Sequence, residues 1–112
     1  MKDTVSQIVA GKADSILNTL SGVTNATFFR AMRAAGVTPD KTPTLSFGLT
    51  ENELRALPIR QTIGDYASWN YFQSIHRPEN TAFVHKFQAR FGAHRVVTDP
   101  MESAYVAVHL SR

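Results

Sequence analysis

The residues best suited to chemistry stand in the stretch Gly64-Asp65-Tyr66-Ala67-Ser68-Trp69-Asn70-Tyr71-Phe72-Gln73-Ser74-Ile75. Residues 66 to 72 hold the only tryptophan, two of the three tyrosines and one phenylalanine, interleaved with Ser and Asn. Flat apolar faces beside hydroxyl and amide groups suit a small planar polar ligand. The same mixture suits a strand running into a packed loop, since aromatics are enriched in strands and a buried Tyr or Trp needs only one polar partner. Other chemistry is sparse. Ser21-Gly22 after a candidate strand echoes a nucleophile turn, but no general base accompanies it, and a plain polar turn is the alternative. Asp65 and Asp99 could act together only if the fold joined them; otherwise they read as a strand-end solvated acid and a helix cap. The histidines His76, His85, His94 and His109 form no HExxH-type spacing, and there is no cysteine, so no metal site and no thiol chemistry are expected. No GxSxG, GxxxxGK or GxGxxG occurs, which removes the usual support for hydrolase, phosphate-loop and dinucleotide readings. The chain therefore reads as no enzyme, with no catalytic residue and no cofactor.

These residues must be positioned by the elements around them. Val5, Ile8 and Val9 fall at helical spacing over residues 3–11, with Asp3 as N-cap and Gly11 as the stop. Residues 13–20 read as a strand ending in the turn Ser21-Gly22. Phe28, Ala31, Met32 and Ala35 share a helix face, Thr24 or Asn25 can cap it, and Gly36 sits at the left-handed C-cap position. Residues 44–47 read as a second strand stopped by Gly48. Thr50-Glu51-Asn52-Glu53 is a capping box that opens a short helix through Leu54 and Leu57 until Pro58. A third strand is expected over residues 60–67. Pro78 starts a helix whose face carries Phe83, Val84, Phe87 and Phe91, closed by Gly92, with His85 and Lys86 toward solvent. Residues 94–97 are a short strand or connector. Asp99 then caps a last helix, with Pro100 at its first position and Met101, Ala104, Tyr105 and Val108 on its apolar face. Strands alternating with helices predict an α/β fold of three layers, with a mainly parallel sheet flanked by helices. Ligands in such sheets sit at the carboxyl ends of the strands, where residues 20–25, 47–50 and 66–71 converge.

The totals fit this picture. A chain of 112 residues is expected to form one domain. Its net charge of +3 comes from scattered bases mixed with acids, so no nucleic-acid partner is expected. No apolar run is long enough for membrane insertion, and the first residues lack the apolar core of a secretion signal, so the chain as written reads as cytoplasmic.

Four blocks together carry a resemblance. They are Asn18-Thr19-Leu20-Ser21-Gly22 with Asn25 and Phe28-Phe29-Arg30; Pro43-Thr44-Leu45-Ser46-Phe47 with Glu51-Asn52-Glu53-Leu54; Gly64 to Ser74 with Pro78-Glu79-Asn80; and Thr98-Asp99-Pro100-Met101-Glu102 with Tyr105. In this order they resemble the solute-binding proteins of urea and short-chain amide ABC transporters, which have the type I periplasmic-binding fold, are related to branched-chain amino acid receptors and are mostly periplasmic. The resemblance runs from about Val5 to the C-terminus. It implies most of a single C-terminal lobe, residues 1–112, of a two-lobed receptor that closes over its ligand. It places Leu20, Ser21, Gly22, Phe47 and Gly48 facing the ligand, while Trp69 and Tyr71 join them by chemistry and position. Where urea receptors commonly carry an acid after the Gly of the first loop, this chain has Val23. A lobe without its companion is expected to bind urea or an amide only weakly, in the millimolar range or not at all. It is also expected to leave apolar surface that favours a homodimer through the cleft face or the terminal helix. The alternative is a self-associating domain with no small-molecule ligand.

Overall fold

The computed structural model describes residues 1–111 and divides into two compact units, Met1–Ser68 and a second beginning at Trp69.

The first unit is built on a parallel sheet. Helix α1 (Lys2–Gly11) leads through a turn to strand β1 (Ile16–Asn18), helix α2 (Thr24–Ala34), strand β2 (Thr44–Ser46), the one-turn helix α3 (Glu51–Leu54), a 3-10 turn (Ile59–Gln61) and strand β3 (Tyr66–Ala67). The strands lie in the order β1-β2-β3, both pairs parallel, with Leu17 opposite Leu45 and Leu45 opposite Tyr66. This is the expected α/β architecture. Val5, Phe28, Phe29, Met32, Val37, Leu49 and Leu57 form the core, with Ile8, Ile16 and Leu54 packed against it. Phe29 and Met32 are essentially inaccessible, and burial of each such side chain contributes about 1.5–3 kcal/mol. The two Phe rings meet edge to face at 5.5 Å. Alternation along the strands turns Asn18 and Ser46 toward α2 and puts Leu17, Leu45 and Tyr66 on the other sheet face, where Leu17 and Tyr66 are largely exposed. Tyr66 is therefore a surface residue, because its strand position faces away from the core.

Several boundaries differ from expectation for local reasons. Met1, not Asp3, holds the N-cap position of α1, and Asp3 lies in the first turn, where its charge complements the helix dipole. The left-handed residue that ends α1 is Lys12 (φ 48°) rather than Gly11. At α2 the N-cap is Val23; Thr24 and Asn25 are already helical, and Asn25 points into the core. The C-terminus of α2 follows the sequence closely: Gly36 (φ 77°) allows Gly36 N–H to reach Arg33 O and Val37 N–H to reach Met32 O, both at 3.0 Å, the paired bonds of a Schellman stop. The capping box also forms, with Glu53 accepting the Thr50 N–H at 2.7 Å, but α3 stops at Leu54, short of Leu57. The strands are shorter than their apolar runs; residues 60–61 belong to the 3-10 turn, and β3 is only Tyr66–Ala67.

Asp65 is no solvated acid. It forms a buried ion pair with Arg33 and accepts the Thr44 N–H at 2.9 Å. Arg33 also donates to Gln61 O (2.8 Å) and Val37 O (2.9 Å). One arginine thus ties α2 to the approach to β3, and one aspartate ties that approach to β2.

The second unit consists of the loop after Trp69, helix α4 (Pro78–Phe91) and helix α5 (Asp99–Leu110). Its core is small: Tyr71, Val84 and Val97, with Phe83 and Phe87 against them. Polar side chains fold the loop instead. The Tyr71 hydroxyl donates to Asn80 Oδ1 at 2.7 Å, and Asn80 Nδ2 donates to Gln73 O and Ile75 O, each at 2.9 Å. Val97 N–H donates to Gln73 Oε1 at 2.7 Å. Asp99, expected as the cap of α5, lies within the helix behind the N-cap Thr98; its buried carboxylate accepts the Tyr71 N–H at 2.8 Å. A loop amide in need of an acceptor captured it. Pro78 begins α4, and His85 and Lys86 face solvent as the helical spacing requires. Phe91, at the end of the predicted apolar face, is 56% exposed. On α5 the predicted apolar face is open, with Met101, Tyr105 and Val108 each about half exposed.

Candidate functional site

The carboxyl ends of β1 and β2 are joined by a buried polar network. Asn18, the last residue of β1, donates from Nδ2 to Asn25 Oδ1 (2.9 Å) and Ser46 Oγ (3.0 Å), and its Oδ1 accepts the Leu20 N–H (2.9 Å). Asn25, in the first turn of α2, donates from Nδ2 to Leu20 O (3.1 Å) and Gly48 O (3.3 Å). Three side chains from β1, α2 and β2 therefore fix the backbone of both strand-end loops. Asn18, Asn25 and Ser46 are buried, where such groups are tolerated only when paired, and a satisfied network defines one geometry.

The two loops also touch. A Cβ on Gly48 would lie 2.3 Å from Leu20 O, so only glycine permits this approach. Gly22 takes a left-handed conformation (φ 64°), which turns the chain from β1 into the N-terminus of α2. Around this locked backbone the surface groups are Ser21, Gly22 and Val23, all exposed, and Phe47, 43% exposed. Ser68 N–H extends the sheet by donating to Ser46 O at 2.9 Å.

Five of the seven residues expected to face a ligand are thus assembled: Leu20, Ser21, Gly22, Phe47 and Gly48. Leu20 and Gly48 contribute mainly backbone, while Ser21 offers a hydroxyl and Phe47 a ring face. Trp69 and Tyr71 belong to the second unit. There Trp69 is half-buried, and Tyr71 is a core residue whose hydroxyl is held by Asn80. The network that positions the site had no assigned role in the sequence. Its signal was available in retrospect: Asn18 and Ser46 occupy inward-facing positions of neighbouring strands, where apolar residues are the rule, and two polar residues there imply each other.

The second unit has its own groove, of about 880 Å³, between α4 and α5. Phe83, Phe87, Phe91, Tyr105 and Val106 line it, with Lys86 and Arg90 among the charged residues at its edge. Its walls are mostly apolar, unlike the polar strand ends. Among the described residues no cluster of His, Asp or Glu is placed to hold a metal ion, and no helix is long and apolar enough to cross a membrane.

The family model for a periplasmic binding protein domain matches residues 1–112, and the chain belongs to that family. A search of curated proteins returned no match.

Proposed function

We propose that the chain is the solute-recognising lobe of a transporter receptor for urea or a short-chain amide, binding its ligand at the strand ends of the first unit without catalysing a reaction. The observation that carries this reading is the Asn18–Asn25–Ser46 network together with the Gly48–Leu20 contact. Considerable buried polarity is used to hold Ser21, Gly22 and Phe47 in one arrangement on an exposed surface, and the Ser21 hydroxyl and the Phe47 ring belong to neither the network nor the core cluster. A flat, neutral solute can lie on the Phe47 ring and exchange hydrogen bonds with the Ser21 hydroxyl and nearby backbone. Membership of the periplasmic binding family supports a solute rather than a macromolecular ligand. The resemblance to urea and amide receptors supports the solute class.

The strand-end surface is open, so few ligand atoms are covered and the attainable affinity is low. Binding of urea, formamide or acetamide by this chain is expected in the millimolar range. A two-dimensional NMR titration checks it, because the amides of Ser21, Gly22 and Gly48 should move together. No movement at ligand concentrations of hundreds of millimolar would sink the reading. Gly48→Ala, which drives a Cβ against Leu20 O, should abolish the response.

A further inference from the structure

Glu53 has a second face beyond its helix cap. Its Oε2 accepts both the Thr50 N–H (2.7 Å) and the Thr50 hydroxyl (3.3 Å). Its Oε1 has no partner among the described residues and faces Gly22: an atom at the Cβ position of Gly22 would lie 3.9 Å from it. Gly22 has no side chain to fill that space, and the neighbouring Val23, 89% exposed, offers no acceptor. The strand-end surface thus contains one carboxylate oxygen beside the Ser21–Gly22 turn, held in place because its twin is committed to the cap.

We infer that Glu53 is the specificity-determining acceptor of this site, selecting neutral solutes that carry an N–H₂ donor and excluding carboxylates. The inference rests on the strand ends being the solute site. A carboxylate accepts but cannot donate, so it pairs with an amide N–H₂ and repels an acid of the same shape. The position after Gly22 therefore need not supply the acid, because the first turn of α3 brings one to the same loop. The local fold enforces this: the Thr-x-x-Glu spacing fixes the Glu53 side chain at the N-terminus of α3, which follows β2 directly.

The test is a titration of the full chain and of Glu53→Gln with three probes of similar shape: acetamide, N,N-dimethylacetamide and acetate. Glutamine retains the cap, since its carbonyl oxygen can accept from Thr50, and presents N–H₂ where Oε1 was. Wild type should prefer acetamide over both other probes by roughly tenfold, the usual scale for a hydrogen bond to a charged group. Glu53→Gln should lose that preference and gain response to acetate, while its thermal midpoint stays near wild type. Equal acetamide affinity in the two proteins would overturn the role of Glu53 and leave the strand-end site standing. Absence of any response at Ser21, Gly22 and Gly48 in wild type would remove both. Should Glu53→Gln fold poorly, the wild-type order of the three probes decides alone: acetate binding as well as acetamide overturns the inference.

Discussion

The two compact units use buried polar groups for opposite ends. In Met1–Ser68 they sit between regular elements: Asn18, Asn25 and Ser46 join β1, α2 and β2, and Arg33 with Asp65 joins α2, β2 and the approach to β3. They lie under a core of seven buried apolar side chains. From Trp69 onward the buried apolar cluster is smaller, made of Tyr71, Val84 and Val97. The polar side chains Gln73, Asn80 and Asp99 there bind loop backbone, while Phe91, Tyr105 and Val108 stay in water. The difference teaches where precision is invested. The unit that presents the strand-end loops is tied by side chains at β1, at β2 and at the approach to β3, which holds those loops in one geometry. The other unit is a folded loop and two helices with an uncovered apolar face, the kind of surface on which self-association is expected.

The largest expected effect tests the cross-linking of the first unit. Both members of the Arg33–Asp65 pair are about 6–7% exposed. Arg33→Ala strands the Asp65 carboxylate in the interior and also removes donors from Gln61 O and Val37 O. Loss of one partner of a buried pair costs about 3–5 kcal/mol. Denaturant unfolding should show a loss of that size, and hydrogen exchange should accelerate in β2 and at residues 61–67. A loss below about 1 kcal/mol, the scale of a surface pair, would mean the pair is not the tie described here.

A smaller effect is expected in the second unit. Asp99→Ala leaves the buried Tyr71 N–H without its acceptor, at a cost of about 1–3 kcal/mol. Hydrogen exchange should quicken at residues 70–77 and stay unchanged in β1 and β2. Equal acceleration of the strand amides would break the comparison, because it would make the two units one cooperative body.

How much of this was legible follows from the range of each interaction. Contacts within four or five residues were readable: the Schellman stop at Gly36, the Thr50–Glu53 box and the Pro78 start of α4 all obey local rules. The α/β order followed from alternation alone. What escaped was settled by partners far along the chain. Asp65 looked like a solvated strand end because Arg33 lies 32 positions away. Asp99 looked like a cap because its acceptor role belongs to Tyr71, 28 positions earlier. Asn25 looked like a capping residue, yet two loop carbonyls, Leu20 O and Gly48 O, claimed its amide. At the site, the position of Ser21, Gly22, Phe47 and Gly48 at strand ends was visible, whereas the scaffold that fixes them was not. In each missed case a polar side chain had a local option and a distant one, and burial favoured the distant one, since an unpaired buried group costs more than a lost cap gains.

The smallest effect probes an exception to that rule. Thr44 begins β2 inside the first unit, fully buried, and its Oγ1 is without a hydrogen-bond partner among the described residues. Its backbone N–H is satisfied by Asp65, so only the hydroxyl is stranded. Valine has nearly the same shape, prefers strands, and brings no polar atom into the interior. Thr44→Val should therefore raise stability, by up to about 1 kcal/mol, because the desolvation cost of an unpaired hydroxyl disappears while the Asp65 bond remains. The thermal midpoint and the amide signals of Ser21, Gly22 and Gly48 report separately on the two parts of this prediction. A higher midpoint with an unshifted strand-end spectrum shows that the cross-links at Asn18, Asn25 and Ser46 define the site without help from Thr44. A lower midpoint would show that the hydroxyl is paired in solution, and that the network joining the strands extends to the start of β2.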